Sequence, residues 1–220
     1  MKTKLVPFIL LASGLGMANA ATVIGDGAAS PFANGGNADG WSGVSVMNTA
    51  IIDSSTEGGL VEVTQVSMLA AGGRAGGSHH FQAILVDSNN LIAWISPELT
   101  PTQDGLNVFA LSGAGTIDAT AGDLRLGVWQ WNDGQDDNAG GTIAFSGGGG
   151  GGMFQQNLNG TLGAGAIEIG QDVAGGQQHA SGAGGRDYNI SVTVSAIPEP
   201  SVFPLIALSG LGLLLRRRRS

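Results

Sequence analysis

Cysteine is absent from all 220 residues. That excludes a disulfide framework, thiolate metal sites and thiol nucleophiles. Lysine is confined to Lys2 and Lys4. Between residues 21 and 197 the only basic side chains are Arg74, Arg125 and Arg186. That stretch keeps 16 of the 17 acids, so three positive charges against 16 negative leave −13. Such a surface repels nucleic acid and other polyanions. It suits solubility, divalent cations, or neutral and cationic glycans. No stretch of the middle of the chain holds a long apolar period of 3.6 residues, which argues against long amphipathic helices. Serines are common, yet no Gly-x-Ser-x-Gly elbow occurs. Gly147, Gly149 and Gly152 meet the spacing of a dinucleotide fingerprint only because six glycines run together from Gly147 to Gly152. Neither a helix-forming stretch nor a lysine follows, so a phosphate cradle is not expected.

Glycine is what the chain has instead. It supplies 39 of 220 residues, and 17 of them fall between Gly140 and Gly185. Glycine at this density favours turns and loops over helix. Short segments rich in strand formers are set among these glycines. Thr22 to Ile24, Trp41 to Met47, Leu60 to Leu69, Asn107 to Leu111 and Leu124 to Trp131 read as strands. Phe81 to Val86 and Leu91 to Ile95 flank Asp87-Ser88-Asn89-Asn90, the pattern of a hairpin. Thr142 to Phe145 and Ile167 to Ile169 are shorter candidates. Tyr188 to Val194 alternates cleanly and reads as the last strand. In Leu124 to Trp131, Leu124, Leu126 and Val128 point one way and Arg125, Trp129 and Trp131 the other. The expected fold class is all-β, an antiparallel β-sandwich with jelly-roll-like topology, followed by a C-terminal transmembrane helix.

The two ends differ from this body. Lys2 and Lys4 precede a mostly apolar run from Leu5 to Met17, and Ala18-Asn19-Ala20 is a small-x-small cleavage site before Ala21. Residues 1–20 thus read as a secretory signal peptide, cut between Ala20 and Ala21 by signal peptidase after Sec-type export. At the other end Pro198-Glu199-Pro200 precede an uncharged apolar run from Val202 to Leu215, then Arg216, Arg217, Arg218 and Arg219. The prolines hold the connecting segment extended. The apolar run prefers a bilayer, and the arginines stay on its cytoplasmic side. Fourteen helical residues span about 21 Å, and snorkelling arginines extend that reach. The division expected is 1–20 signal peptide, 21–197 exported domain and 198–220 terminal signal with its span at 202–215.

This terminal arrangement closely resembles the sorting signal of PEP-CTERM proteins, the substrates of bacterial exosortases. The resemblance covers roughly the last tenth of the chain. It implies inner-membrane anchoring, recognition by an exosortase, cleavage near the signal, and transfer to the surface of a Gram-negative bacterium. Proteins of this kind accompany exopolysaccharide production.

Three constellations within the body carry chemistry. Asn132 to Asn138 is the densest acidic cluster, and Asp133, Asp136 and Asp137 offer hard oxygen ligands for calcium. A solvated turn explains the same residues, and the spacing is not that of an EF-hand. No cofactor is expected, with calcium at this cluster as the alternative. Trp129 and Trp131 share a strand face. Exposed, they would stack on sugar rings; buried, they would fill a core, where large aromatics gain most. His79 and His80, with the distant His179, are candidate metal ligands, but neighbours in a strand point to opposite faces. The chain therefore reads as a non-catalytic surface or matrix protein of an exopolysaccharide or biofilm layer. Its expected partners are the export machinery, an exosortase and extracellular polysaccharide, with no nucleic acid. The alternative is a calcium-stabilised carbohydrate-binding module, with a glycoside hydrolase on the same scaffold behind it. Sixteen acids offer many carboxylate pairs, and none stands out.

Overall fold

The computed structural model describes residues 21–25, 37–38, 43–52, 59–71, 73, 75–133, 142–147, 155–156, 163–173 and 186–197. The strands, in chain order, are β1 (Thr22–Gly25), β2 (Asn37–Ala38), β3 (Gly43–Ile52), β4 (Leu60–Ala70), β5 (His79–Val86), β6 (Ile92–Ile95) and β7 (Gly105–Ala110). They continue with β8 (Thr116–Asp118), β9 (Leu124–Asn132), β10 (Ala144–Gly147), β11 (Gln155–Gln156), β12 (Arg186–Tyr188) and β13 (Ile190–Ala196). Helix is limited, among the described residues, to two three-residue 3-10 turns, Ala119–Ala121 and Ala164–Ala166. All strand pairings are antiparallel.

Two sheets dominate. Sheet I runs β1-β13-β4-β7, and β8 pairs with the start of β4 on the edge that β7 uses further along. Sheet II runs β11-β3-β9-β5-β6. A smaller sheet, β12-β10-β2, meets the end of β4 through the bridge Ala70–Ile143. Residues Ala20–Ile197 form one compact unit. Its main apolar cluster draws Val63, Val66 and Met68 of β4 and Val192 and Val194 of β13 from sheet I. From sheet II it takes Phe81, Ala83 and Leu85 of β5 and Leu126 and Val128 of β9. Phe81 also meets Phe109 of β7 edge-on, with ring centroids 5.6 Å apart.

β4 shows how the sequence meets this demand. Its alternation breaks in the middle: Val61 and Val63 share one phase, Val66, Met68 and Ala70 the other. The register against β13 shifts at that point, pairing Thr193 with Gln65 and Val194 with Val63. The bulge leaves Thr64 as the extra residue, so both apolar sets face the core. Thr64 is not wasted, since its hydroxyl donates to the Thr193 carbonyl at 3.3 Å. On β9, Gly127 permits the approach of β3. A Cβ there would stand 2.7 Å from the Ser45 carbonyl oxygen and 3.0 Å from Ile84 Cγ1.

The hairpin forms where the sequence places it. Asp87 accepts from the amides of Asn89 and Leu91, and Asn90 takes the left-handed conformation with φ of 66°. Two expectations need correction. Ile167 to Ile169 is no strand: Ile167 is the extended cap that ends the second 3-10 turn, and Ile169 begins a further turn. The segment from Tyr188 is two strands, with Asn189 between β12 and β13 joining the small sheet to sheet I. Its amide donates to the Ala144 carbonyl, and its carbonyl accepts from Leu69. Among the described residues no helix is long and apolar enough to cross a membrane, and residues 202–215 lie outside those residues.

Candidate functional site

Sheet II has a second apolar face, turned away from sheet I. Alternation along β9 that sends Leu126 and Val128 inward sends Trp129 and Trp131 here. They join Val44 and Val46 of β3, Ile84 and Val86 of β5, and Ile92 of β6. The covering segment comes from the glycine-rich region. Residues 163–173 cross this face and contribute Ile167 and Val173, with Ala164 and Ala166 packed alongside. Trp129 Nε1 donates to the Gly163 carbonyl at 2.9 Å. At the far end Ile92 and Gln171, and Val173 and Asn90, share backbone hydrogen bonds that fasten the segment to the β5–β6 hairpin.

Both indoles are therefore buried, Trp129 fully and Trp131 with 1% exposed. The buried alternative is the one realised, although on the face opposite the main core. With residues 163–173 in place no sugar has an open indole to stack on. The two rings lie 5.5 Å apart at 22°, and His80 of β5 continues the stack on Trp131 at 5.5 Å and 18°. Cross-strand register makes this ladder, for His80 pairs with Trp131 and Gln82 with Trp129.

His80 is braced from both edges. Its Nδ1 lies 2.8 Å from Glu98 Oε1 and 3.0 Å from Thr100 Oγ1, and its Nε2 lies 3.2 Å from Asp133 Oδ2. Glu98 and Asp133 are largely open to solvent, so each pair is a modest contributor. The two carboxylates flank opposite edges of one imidazole, so they do not converge with it on a single ion. Thr100, His80 and Asp133 form a hydroxyl–imidazole–carboxylate line. Glu98 shares the Nδ1 edge, and its negative charge opposes the charge a nucleophilic oxygen develops. The arrangement suits a strut that ties the Glu98–Thr100 segment and the turn after β9 to β5.

The sequence candidates separate as follows. Asp133 is described, and its carboxylate sits on His80. Asp136 and Asp137 lie outside the described residues, as does His179. No group of three or more His, Asp or Glu side chains among the described residues is arranged to hold a metal ion. His79 and His80 point to opposite faces, and His79 Nε2 lies 3.4 Å from the Asn132 amide. Ala21 is exposed at the entry to β1. Ala18, Ala20, Pro198, Glu199, Pro200 and Arg216 to Arg219 lie outside the described residues.

Sequence reasoning overlooked two glutamines. Gln82 is in phase with Ile84 and Val86, and Gln130 with Leu126 and Val128. A lone amide within an apolar phase is the signal that could have found them, because a buried polar group needs partners. Gln130 has them: its Oε1 accepts from the amides of Thr142 at 3.0 Å and Ile143 at 3.3 Å. No protein-family model matches the chain, and neither the curated proteins nor the solved structures contain a significant match.

Proposed function

We propose that this chain is an exported, non-catalytic surface or matrix protein, sorted by an exosortase-type system into an exopolysaccharide layer. The observation that carries the reading is the order at the C-terminus: Pro198-Glu199-Pro200, the apolar run 202–215, then Arg216 to Arg219. The leader ending at Ala20 supports the same orientation, since an export signal and a basic stop leave the middle of the chain outside. Residues 202–215 then cross the inner membrane as a helix until the sorting cut. The exported domain is a β-sandwich of jelly-roll-like topology. The sandwich in that reading is supported by the shared apolar cluster between sheets I and II. A net charge of −13 keeps such a domain soluble among polymers.

Two measurements test this. Protease added to intact spheroplasts should digest the body and spare the basic stub. An undigested body in intact spheroplasts sinks the orientation. Intact mass of the protein recovered from the cell surface should show loss of residues 1–20 and a second cut near Pro198. A mass retaining Arg216 to Arg219 would remove the sorting step.

A further inference from the structure

The two main sheets finish their edges differently. On sheet II the side formed by β5 and β6 is closed. Phe81 and Leu99 exchange both backbone bonds, and Ser96 donates to the Ala83 carbonyl. Beyond them, Ile92 of β6 donates to the Gln171 carbonyl and accepts from Gly170. Sheet I ends on β7, and no strand among the described residues pairs with its outer edge.

Register decides which groups that edge presents. Leu111 donates to the Thr64 carbonyl, so Asn107 and Phe109, opposite Met68 and Val66, turn their backbone groups toward β4. Leu106, Val108 and Ala110 alternate with them and turn theirs outward. The Leu106 carbonyl agrees, for it accepts from Gln103 Nε2 at 2.7 Å. The same three residues carry exposed side chains on the outer face of sheet I, Leu106 with 47% of its surface open and Val108 with 55%. Edges are normally guarded by charge, proline or a bulge. β7 has none of these. It pairs with β4 in unbroken register, and residues 105–115 contain no charged side chain and no proline. Gln103 covers one carbonyl and leaves Val108 and Ala110 open.

We propose that β7 is a self-association edge, pairing antiparallel with β7 of a second copy about a two-fold axis at Val108. In that register Val108 exchanges both backbone bonds with its own counterpart, and Leu106 stands across from Ala110. The edge fits itself, because its outward groups and apolar side chains fall at 106, 108 and 110, symmetric about the axis. Charge favours the same occupant. Each copy carries −13 between residues 21 and 197, so two copies meet at least cost where their acids do not face one another. Asp104, at the start of the strand, falls opposite Ser112 of the second copy. Two short strands bury less than the roughly 1,200 Å² of a stable interface, so association is weak and belongs to crowded protein rather than dilute solution. The proposal rests on the fold alone and is independent of the sorting signal.

The chain lacks cysteine, so a single introduced thiol reports this contact without background. Residues facing each other in a bonded antiparallel pair have Cα atoms about 5.5 Å apart, within disulfide reach. Val108→Cys, in the full chain in detergent, should therefore form a disulfide-linked dimer under mild oxidation. Leu106→Cys should yield at least about tenfold less, because its counterpart lies four residues away, roughly 13 Å along the strand. Sedimentation of the parent should show dimer rising with concentration. Val108→Glu changes an open position and should melt within about 3 °C of the parent. It sets two carboxylates face to face and should weaken association at least about tenfold. Val23→Glu, on the opposite edge of sheet I, should associate like the parent. Equal cross-linking at positions 106 and 108 overturns the proposal, since random collision gives that result. So does a parent that stays monomeric throughout the series. Dimers that survive Val108→Glu, or that Val23→Glu breaks instead, overturn it as well.

Discussion

Gln130 and Asp118 show how much a single polar side chain contributes where it meets the backbone. Gln130 is 1% exposed and accepts from two buried amides that begin the β10 segment. Gln130→Ala leaves both donors without that partner, and each dry donor costs about 1–3 kcal/mol. The expected loss is about 2–4 kcal/mol, read as a drop of roughly 5–12 °C in melting temperature for a domain of this size. Asp118 works at the surface. Hydrogen bonds from the Thr120 hydroxyl and then the Thr120 amide hold its carboxyl below the ordinary 3.8. A depressed carboxylate lends stability above its unfolded pKa and loses it as pH falls through the folded value. Asp118→Ala should therefore melt slightly below the parent at neutral pH. The gap should close as pH falls through the lowered folded value, as read from a pH series of thermal melts. Side-chain direction was legible residue by residue: the split of Leu126 and Val128 from Trp129 and Trp131 follows from alternation alone. The partner of each residue was not. Glu98 lies 18 positions from His80, and Asp133 lies 53.

At the scale of elements, legibility tracked local chemistry. The β5–β6 hairpin announces itself because Asp87 and Asn90 satisfy the turn from within it. β4 reads as a strand despite its broken alternation, since the bulge at Thr64 reconciles the two phases. β8 offers three residues and no clear alternation, and its pairing with Leu60 to Glu62 comes from sheet I rather than from its own sequence. Residues 163–173 mislead for a related reason. Ile167 and Ile169 alternate as a strand would, but one is buried on Trp129's face and the other is open to solvent. The fate of the tryptophans was hidden with them, since what buries Trp129 is a small-residue segment 34 positions away. Whereas a central strand is bonded along both edges, the backbone bonds that tie this cover to its neighbours among the described residues lie at one end, Ile92 to Gln171, Gly170 to Ile92 and Val173 to Asn90. Amide exchange should show it opening first: Gly170 and Val173 should exchange at least about a hundredfold faster than β5 and β9 amides, the behaviour of a locally unfolding unit. Equal protection would mean that the cover opens only with the whole fold.

For the whole molecule, the all-β class was legible from strand formers spaced by glycine, asparagine and aspartate, while strand order was not. Order depends on which apolar faces meet, and many pairings of short strands bury similar area. The order found has a testable corollary. β13 lies between β1 and β4 in sheet I, with Thr22 opposite Val194. A chain ended after Asn189 should give no cooperative melt and no near-ultraviolet dichroism. A chain ended after Ile197 should melt like the full-length protein. Because β13 occupies the middle of its sheet yet is the last of the described strands to be synthesised, sheet I has no complete partner set until Ala196 has been made. On the export reading proposed above, that order suits a translocation channel that accepts only loose thread. The first and last threads are knitted together only after the final stitch has passed through.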